Sequence, residues 1–307
     1  MKRPRKRPSR ADRPPREPRP ARPDRAGGRT PRRAPDDSRP PARPSRGKPR
    51  HRDKTEEMVH GLRACEALVA RRPQDIVRVY VAEGRRRRFA AVLDRCARER
   101  KGFQVVADEN LRRLTGSIHH EGVAILAKAP ARWTLAELLR AVESGAIAGP
   151  LVYLDGVQNP HNLGSILRTA AHFGAGAVVG RAGELPPTSA AAIRVAEGAA
   201  EFVPVCDLAD PVADLRRLKA AGYTVVATSS HVGEPLFACR LGARTVFVLG
   251  SEGEGVSPAI DGVADARARI PGTGAVESLN VSVACGIVLA DAWRRTGGDA
   301  VPARASR

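Results

Sequence analysis

Polar side chains with catalytic capacity collect in three glycine-containing clusters in the second half of the chain. The clusters span residues 155–170, 249–257 and 270–284. Each lies at or just beyond the carboxyl end of a predicted strand. Ligands of open α/β sheets bind outside the carboxyl ends of the strands. The three clusters therefore predict one binding site formed by three loops.

The first cluster offers an amide and a guanidinium on the same predicted helix. Asn162 stands where that helix is predicted to begin, and Arg168 follows six residues later. Six helical residues correspond to about 600° of rotation and ~9 Å of rise, so the two side chains point to different sides. They can still frame one site if the ligand spans the start of the helix.

The second and third clusters combine a carboxylate with residues that suit tight loops. Three glycines between Gly250 and Gly255 allow close backbone approach, and Glu252 supplies a carboxylate at the strand tip. In the third cluster Ser278 and Asn280 are residue types that favour a helix start. Taken alone, these features also fit a strained turn and a simple helix cap. Three such clusters in one predicted sheet make coincidence a poor explanation.

Two other kinds of site are disfavoured by residue spacing. No G-x-G-x-x-G motif stands between a predicted strand and helix, and the glycines of 174–180 miss that spacing. His119, His120 and Glu121 are too compact in sequence to hold a metal by themselves. The sequence thus predicts neither a dinucleotide site nor a metal site.

The elements that would position the clusters follow from hydrophobic patterning. Continuous apolar runs, typical of parallel strands covered by helices on both faces, occupy residues 151–154, 177–179, 223–227 and 245–249. Helices are predicted between them at residues 162–173, 189–197, 212–221 and 281–294. This half, residues 150–297, is therefore expected to be an α/β domain with a parallel sheet.

A smaller α/β domain is predicted at residues 55–129. Its strands are predicted at 76–81, 103–107 and 123–127, and its helices at 58–70, 85–100 and 109–114. The predicted helix at 85–100 would place Phe89, Val92, Leu93 and Cys96 on one side. Residues 130–149, with a helix at 135–144, are interpreted as the linker between the two domains.

Charge separates the first 54 residues from the rest of the 307-residue chain. They carry 21 Lys or Arg against 6 Asp or Glu and 13 of the 25 prolines, while the whole chain has a net charge of +19. Such a segment buries too little apolar area to offset its ordering entropy, so it is predicted to be disordered. Attraction to RNA, through counterion release at phosphates, is favoured over a merely solubilising role. The last residues, 298–307, are expected to be flexible.

Cysteine content and hydropathy narrow the class of protein further. The five cysteines are scattered and odd in number, which predicts reduced, mostly buried thiols in a cytoplasmic protein. No apolar run reaches the ~18–20 residues that a membrane span needs. The basic N-terminus has no apolar stretch behind it, as a secretory signal would.

The three clusters together resemble the sequence motifs of the SpoU (TrmH-type, SPOUT class) RNA 2′-O-ribose methyltransferases, in the same order. The resemblance runs from about Thr55 to Arg295. Residues 59–62 (Val-His-Gly-Leu) and 119–123 (His-His-Glu-Gly-Val) are similar to the opening and closing patterns of that family's L30e-like substrate-binding domain. Within the family, the chain most resembles a tRNA/rRNA methyltransferase branch with a basic N-terminal extension.

The resemblance implies a methyltransferase domain with a C-terminal trefoil knot that forms the S-adenosylmethionine pocket, and a homodimer that completes the active site. Carried over by motif, the cofactor contacts are Thr228, Gly250, Ile270 and Leu279. The polar positions that shape the catalytic site are Arg168, Asn162, Glu252, Ser278 and Asn280. The implied partner is rRNA or tRNA, and no metal is implied.

The implied reaction requires a ribose 2′-hydroxyl to lose its proton as it attacks the methyl group. An ordinary guanidinium has a pKa above about 12 and is a poor proton acceptor. The hypothesis is that Arg168 acts together with an RNA phosphate, which orients it and shares the proton. Asn162 would fix Arg168 or the ribose, and Glu252 would organise its loop.

Two alternatives belong to other classes. The first is an RNA-binding protein that keeps the methyltransferase fold with little or no catalysis, against which the intact Arg168, Glu252 and Asn280 argue. The second is a methyltransferase for proteins or small molecules, which fits poorly with the basic N-terminal segment and the additional RNA-binding-like domain.

Overall fold

The computed structural model describes residues 55–296. The segments predicted as a disordered basic tail (1–54) and a flexible C-terminus (298–307) lie outside the described residues. The described part contains two sheets, one of four strands and one of eight.

The smaller sheet is mixed and precedes the larger one in the chain. Its strand order is β1-β4-β2-β3, with β4 antiparallel to both neighbours and β3 parallel to β2. The strands are β1 Glu56–His60, β2 Ile76–Val81, β3 Gly102–Val105 and β4 Val123–Lys128. The helices are α1 Leu62–Arg71, α2 Ala90–Arg98 and α3 Asp108–Thr115.

The helix predicted at 58–70 is wrong in its first part. Glu56 to His60 form β1, which pairs with β4 from Glu56 opposite Lys128 to His60 opposite Ala124. The helix begins only at Leu62, because Gly61 has a φ of +93°, which ends the strand and turns the chain. The apolar residues at the start of the segment fit a strand and a helix equally well.

The larger sheet has eight strands in the order β10-β12-β9-β11-β6-β7-β8-β5. The strands are β5 Trp133–Thr134, β6 Leu151–Leu154, β7 Ala177–Arg181, β8 Val205–Leu208, β9 Thr224–Ser229, β10 Glu234–Pro235, β11 Thr245–Leu249 and β12 Ala266–Arg269. Every neighbouring pair of strands in this sheet is parallel. The predicted α/β class with a parallel sheet is therefore confirmed.

Helices cover both faces of the larger sheet. They are α4 Leu135–Glu143, α5 Pro160–His172, α6 Ala190–Ala196, α7 Pro211–Ala220, α8 Pro258–Asp261 and α9 Val281–Arg295. Alternate residues of β6 show the two faces, since Val152 and Leu154 join one core and Leu151 and Tyr153 the other. Strands buried on both sides must be apolar throughout, which explains their continuous apolar runs.

The segment 130–149, predicted as a linker, contains an ordered strand and helix. Trp133 of β5 pairs with Cys206 of β8 and so extends the large sheet. Helix α4 begins with a capping box, in which Thr134 and Glu137 satisfy each other's backbone N–H groups. Its apolar side joins the second core, so this segment completes one face of the large sheet.

One apolar core runs through both sheets. It includes Val59 and Leu68 beside the small sheet and Ala196 and Ala199 beside the large one. At the same boundary the Arg72 guanidinium, just after α1, holds the Glu201 carboxylate through two hydrogen bonds of 2.6 and 2.8 Å. The two sheets with their helices are therefore packed directly against each other.

Candidate active site

The three polar clusters meet because the strands that precede them are neighbours in the large sheet. Strands β12, β9, β11 and β6 lie side by side and parallel. Their carboxyl ends consequently point to the same edge. The loop after β6 carries the first cluster, the loop after β11 the second, and the loop after β12 the third. The arrangement is the one in which open α/β sheets bind ligands.

A triangle of polar side chains joins one residue from each cluster. Glu252 Oε1 accepts hydrogen bonds from Asn280 Nδ2 at 2.6 Å and from Asn162 Nδ2 at 3.3 Å. Asn280 Nδ2 also donates to Asn162 Oδ1 at 3.2 Å. Each member thus has its partner in the other two loops. The triangle fixes the positions of the three loops relative to one another.

Helix geometry presents the two asparagines of the triangle. Asn159 caps α5 by accepting from the His161 N–H, which leaves Asn162 in the first turn of that helix. Asn280 is the cap of α9, because its Oδ1 accepts from the Ser282 N–H at 3.0 Å. Since the cap uses Oδ1, the Nδ2 group of Asn280 is directed to Glu252. A single side chain thereby starts a helix and ties two loops together.

The second loop is folded tightly on itself at Gly250. A Cβ atom added at Gly250 would lie 2.0 Å from the carbonyl carbon of Gly255, so only glycine fits there. The two ends of the loop exchange backbone hydrogen bonds between Ser251 and Gly255 at 3.0 and 3.1 Å. The Asp155 carboxylate, at the tip of β6, accepts the Ser257 N–H at 2.7 Å. These contacts set Glu252 at the exposed turn of the loop.

A cavity of about 1070 Å³ opens beside the triangle. It is lined by all four residues predicted to contact the cofactor, Thr228, Gly250, Ile270 and Leu279, and by Ser278. The Thr228 hydroxyl donates to the Val248 carbonyl at 2.8 Å, which ties the tip of β9 to β11. Leu279 is 42% exposed and gives the cavity an apolar rim.

Arg168 is separate from the triangle in this chain. Its side chain is 58% exposed, and its Nη2 lies 3.2 Å from Glu197 Oε2, just after α6. Asn162 and Arg168 do point to different sides of α5, as the helical spacing predicts. Of the five residues predicted for the catalytic site, three form the triangle, Ser278 lines the cavity, and Arg168 stands apart.

Several residues around the site were not predicted from the sequence. Glu197, the partner of Arg168, has a backbone φ of +45° and directly precedes Gly198 at +91°. Ser229, the last residue of β9, and His231, just after that strand, line the cavity beyond Thr228. Ser229 and His231 follow the strand predicted at 223–227, and this position could have identified them as site residues. Nothing in the spacing of the sequence links Glu197 to Arg168.

Thiol and metal chemistry find no support in the side-chain arrangement. All five cysteines are free and buried, as predicted. Burial raises the pKa of each thiol, to about 12 for Cys206 and Cys285, so none forms a thiolate nucleophile near neutral pH. Within residues 55–296, no three His, Cys, Asp or Glu side chains are grouped to hold a metal ion.

None of the helices between residues 55 and 296 has the length and apolar character that crossing a bilayer requires.

Comparison with known protein families gives two matches that divide the chain. Residues 149–290 match the SpoU rRNA Methylase family, and residues 58–133 match the RNA 2′-O ribose methyltransferase substrate binding family. The first match contains all three clusters, and the second covers the small sheet except for the first two residues of β1.

Individual relatives extend over the same part of the chain. The Escherichia coli O157:H7 protein named "Uncharacterized tRNA/rRNA methyltransferase YfiF" is 40% identical over 240 residues, covering 78% of this chain and 68% of the relative. The 23S rRNA (guanosine-2′-O-)-methyltransferase RlmB of Bordetella pertussis is 33% identical over 244 residues, covering 79% of this chain and 98% of the relative.

A solved structure shows the same similarity in three dimensions. The AdoMet-bound rRNA methyltransferase of Sinorhizobium meliloti superposes with a TM-score of 0.65 at 25% identity. The match covers 78% of this chain and 88% of that protein. The similarity therefore spans both sheets and not the large sheet alone.

Proposed function

The chain belongs to the SpoU family of RNA methylases, and we propose that it transfers a methyl group from S-adenosylmethionine to a ribose 2′-hydroxyl of rRNA or tRNA. The observation that carries this proposal is the meeting of the three family motifs at one sheet edge, beside a large cavity. The RlmB relatives, aligned over nearly their whole length, act on 23S rRNA, which makes rRNA the first substrate to test.

The cavity fits S-adenosylmethionine in size and in the shape of its wall. Its volume of about 1070 Å³ is just above the range for small-molecule sites, which is about 300–1,000 Å³. The absence of a side chain at Gly250 lets the loop backbone close over the strand tip and form that wall. We assign Thr228, Gly250, Ile270 and Leu279 to holding the cofactor, which supplies an electrophilic methyl group on a sulfonium.

The residues of this chain contribute position and charge to the reaction. The triangle of Asn162, Glu252 and Asn280 holds the three loops in one arrangement, so the reacting groups meet a preformed site. Arg168 binds an RNA phosphate and orients the 2′-hydroxyl, while the phosphate shares the departing proton. Ser278, exposed on the cavity wall, supplies a hydroxyl for the ribose or the cofactor.

The separation of Arg168 from the triangle supports a homodimer. Two halves of the catalytic apparatus on different sides of α5 can meet if each site takes Arg168 from one subunit and the triangle from the other. Exposed apolar side chains on and just before α9, including Leu279, Val283 and Trp293, give a second copy a surface to cover. Such a surface is typical of an interface between subunits.

Mixing two inactive variants tests this shared site. Arg168→Ala and Asn280→Ala proteins are purified separately, mixed under conditions that exchange subunits, and assayed together. Random pairing of symmetric dimers restores about a quarter of wild-type activity if each site is shared, because half the dimers then hold one intact site. No recovery, although light scattering shows exchanged dimers, would contradict the shared site.

Two finer features of the fold are also proposals. We propose that the small sheet and its helices form the L30e-like RNA-binding domain of the family, and that the C-terminal part of the large domain is threaded as a trefoil knot. The family resemblance of both segments supports them. A crystal structure with S-adenosylhomocysteine bound would trace the chain path and test both.

The activity itself is tested with RNA from a strain that lacks the gene. Purified protein and S-adenosylmethionine are incubated with this RNA, and ribose methylation is mapped along rRNA and tRNA. We expect the wild-type protein to methylate one ribose 2′-hydroxyl. The same position should be unmethylated in the untreated RNA and should stay unmethylated with Arg168→Ala protein. A thermal shift with S-adenosylmethionine accompanies the assay, because a ligand that binds the native state raises its stability. A protein that binds RNA, shows no shift and methylates nothing would be the RNA-binding protein that has lost catalysis.

A further inference from the structure

A second, smaller cavity lies where the small sheet's domain meets α6 of the large one. Its volume is about 230 Å³, below the range typical of drug-sized ligands. We call it the junction cavity, and it is lined by His60, Arg63, His119, Glu121, Arg194 and Glu197. The family's opening and closing patterns contribute His60, His119 and Glu121 to its wall, and none of the predicted cofactor or catalytic residues lines it. Its size suits a single small polar group.

The amino end of helix α1 points into the junction cavity. Gly61 caps this ten-residue helix without a side chain, so no side-chain oxygen from the cap covers the first turn. The Leu62 N–H donates to Glu121 Oε2 at 2.7 Å. The N–H groups of Arg63 and Ala64 have no hydrogen-bond acceptor among residues 55–296. Free N–H groups at a helix start favour an anion.

His60 gives an independent indication that the cavity binds a ligand. The residue is only 4% exposed, yet its Nε2 atom has no hydrogen-bond partner among the described residues. Its other ring nitrogen, Nδ1, lies 3.4 Å from the Met58 carbonyl oxygen. A buried polar atom without a partner costs free energy, so such atoms are rare unless a bound group satisfies them.

The arginine side chains that line the cavity are available to bind an anion. Neither Arg63 nor Arg194 forms an ion pair or side-chain hydrogen bond with any residue between 55 and 296. Both carboxylates on the wall are already engaged, Glu121 by the Leu62 N–H and Glu197 by Arg168 at 3.2 Å. Two guanidinium groups, two imidazoles and two backbone N–H groups therefore remain for a ligand.

We propose that the junction cavity binds a phosphate group of the RNA backbone. A phosphodiester is small, singly charged and rich in acceptor oxygens, which matches unpaired arginines at a helix amino end. The identification of the phosphate as part of an RNA chain rests on the proposed function. Because Glu197 borders this cavity and also pairs with Arg168, the bound phosphate lies on the Arg168 side of the molecule.

The test compares two double variants of the full-length protein that lose the same charge. In Arg63→Gln/Arg194→Gln the junction cavity is altered, and neither residue has a partner whose loss would unfold the protein. In the control, Arg140→Gln/Arg216→Gln, two exposed arginines of α4 and α7 are changed on the opposite face of the large sheet. Thermal midpoints and S-adenosylmethionine affinity are measured for both and are expected to equal those of the wild type.

Two probes separate free phosphate from RNA phosphate. A 20-nucleotide mixed-sequence RNA is titrated at several salt concentrations, and inorganic phosphate is titrated while the His60 imidazole is followed by NMR. Loss of one phosphate contact should reduce the slope of log affinity against log salt by about 1 in the cavity variant and leave the control unchanged. Inorganic phosphate should shift the His60 signals in the wild type and not in the cavity variant.

The possible results distinguish an RNA phosphate site from a free phosphate site and from no site. Equal salt slopes in the two double variants would overturn the proposal, and so would a wild type whose His60 signals ignore phosphate. A phosphate shift without a change in salt slope would mean that the cavity takes free phosphate and not RNA. If the cavity variant shows both expected effects while the wild type methylates no RNA, the junction site stands and the proposed catalytic function fails.

Discussion

The triangle at the strand tips and the junction cavity treat polar groups in opposite ways. Asn162, Glu252 and Asn280 satisfy one another, so their loops are fixed without any ligand. The Nε2 atom of His60 and the guanidinium groups of Arg63 and Arg194 have no such partners among the described residues. A satisfied cluster maintains geometry, and an unsatisfied one retains binding capacity. The difference separates a preorganised part of the molecule from the part that we propose binds an RNA phosphate.

Arg168 lies between these two places and gives the most severe test of the assignment. Arg168→Ala should lower the methylation rate by about 10²–10⁴-fold, the usual loss when a group that assists proton transfer is removed. S-adenosylmethionine affinity should not change, because Arg168 is remote from the cavity wall. Rates are measured with saturating cofactor, with Arg140→Ala as the exposed control. Near-normal methylation would mean that Arg168 has no part in catalysis and serves only as the ion-pair partner of Glu197 beside the junction cavity.

Gly250 tests whether the strand-tip loops really need their close approach. Gly250→Ala places a Cβ 2.0 Å from the Gly255 backbone, so the loop must move. We expect a loss of about 1–3 kcal/mol in unfolding free energy, typical of overpacking, and weaker cofactor binding. Gly253→Ala is the matched control, since nothing lies within 4 Å of its added Cβ. Urea unfolding and calorimetric titration give both quantities, and equal behaviour of the two variants would contradict the tight loop.

Asn280 separates the helix cap from the triangle. Asn280→Ala should cost about 1 kcal/mol of stability through the lost cap and should also loosen the second loop. Asn280→Ser keeps a capping oxygen and loses the amide that reaches Glu252, so it should recover stability without recovering activity. Thermal unfolding and methylation rates are compared for the pair. Full activity in the serine variant would show that the triangle is dispensable.

His60 offers the smallest effect, on the pH dependence of stability. Burial lowers its pKa, and the nearby positive charge of Arg194 acts in the same direction. As pH falls below about 6.5, the unfolded chain takes up a proton at His60 before the native protein does, so stability decreases. Urea midpoints at pH 7.5 and 5.5 should differ less in His60→Gln. Added inorganic phosphate should reduce the wild-type loss, since an anion favours the charged imidazole.

Much of the large sheet could be predicted because its central strands are buried on both faces. The predicted runs at residues 151–154, 177–179, 223–227 and 245–249 are mainly apolar, and they overlap β6, β7, β9 and β11. Strand β12 was missed because its sequence, Ala-Arg-Ala-Arg, has charged residues at every second position. Its pairing with β9, a tertiary contact, outweighs the local pattern.

At the site, too, the features that depend on tertiary packing could not be predicted from the sequence. Asn162 and Glu252 could be found because each follows a strand that the apolar pattern predicts, and Asn280 could be found from its helix-start position and the family motif. The pairing of Arg168 with Glu197 depends on how α5 packs against α6, which no spacing in the sequence records. The junction cavity was invisible for the same reason. His60 and Arg194 are 134 positions apart and meet only through the packing of two sheets.

The apolar core that continues from the small sheet into the large one has a thermodynamic consequence. Val59 and Leu68 are buried against the same cluster as Ala196 and Ala199, so separating the two sheets would expose both sides to water. We therefore expect the parts to melt as one cooperative unit, in a single heat transition whose calorimetric and van't Hoff enthalpies agree. In energetic terms, the two sheets with their helices would then not be two modules joined by a tether but one folding event.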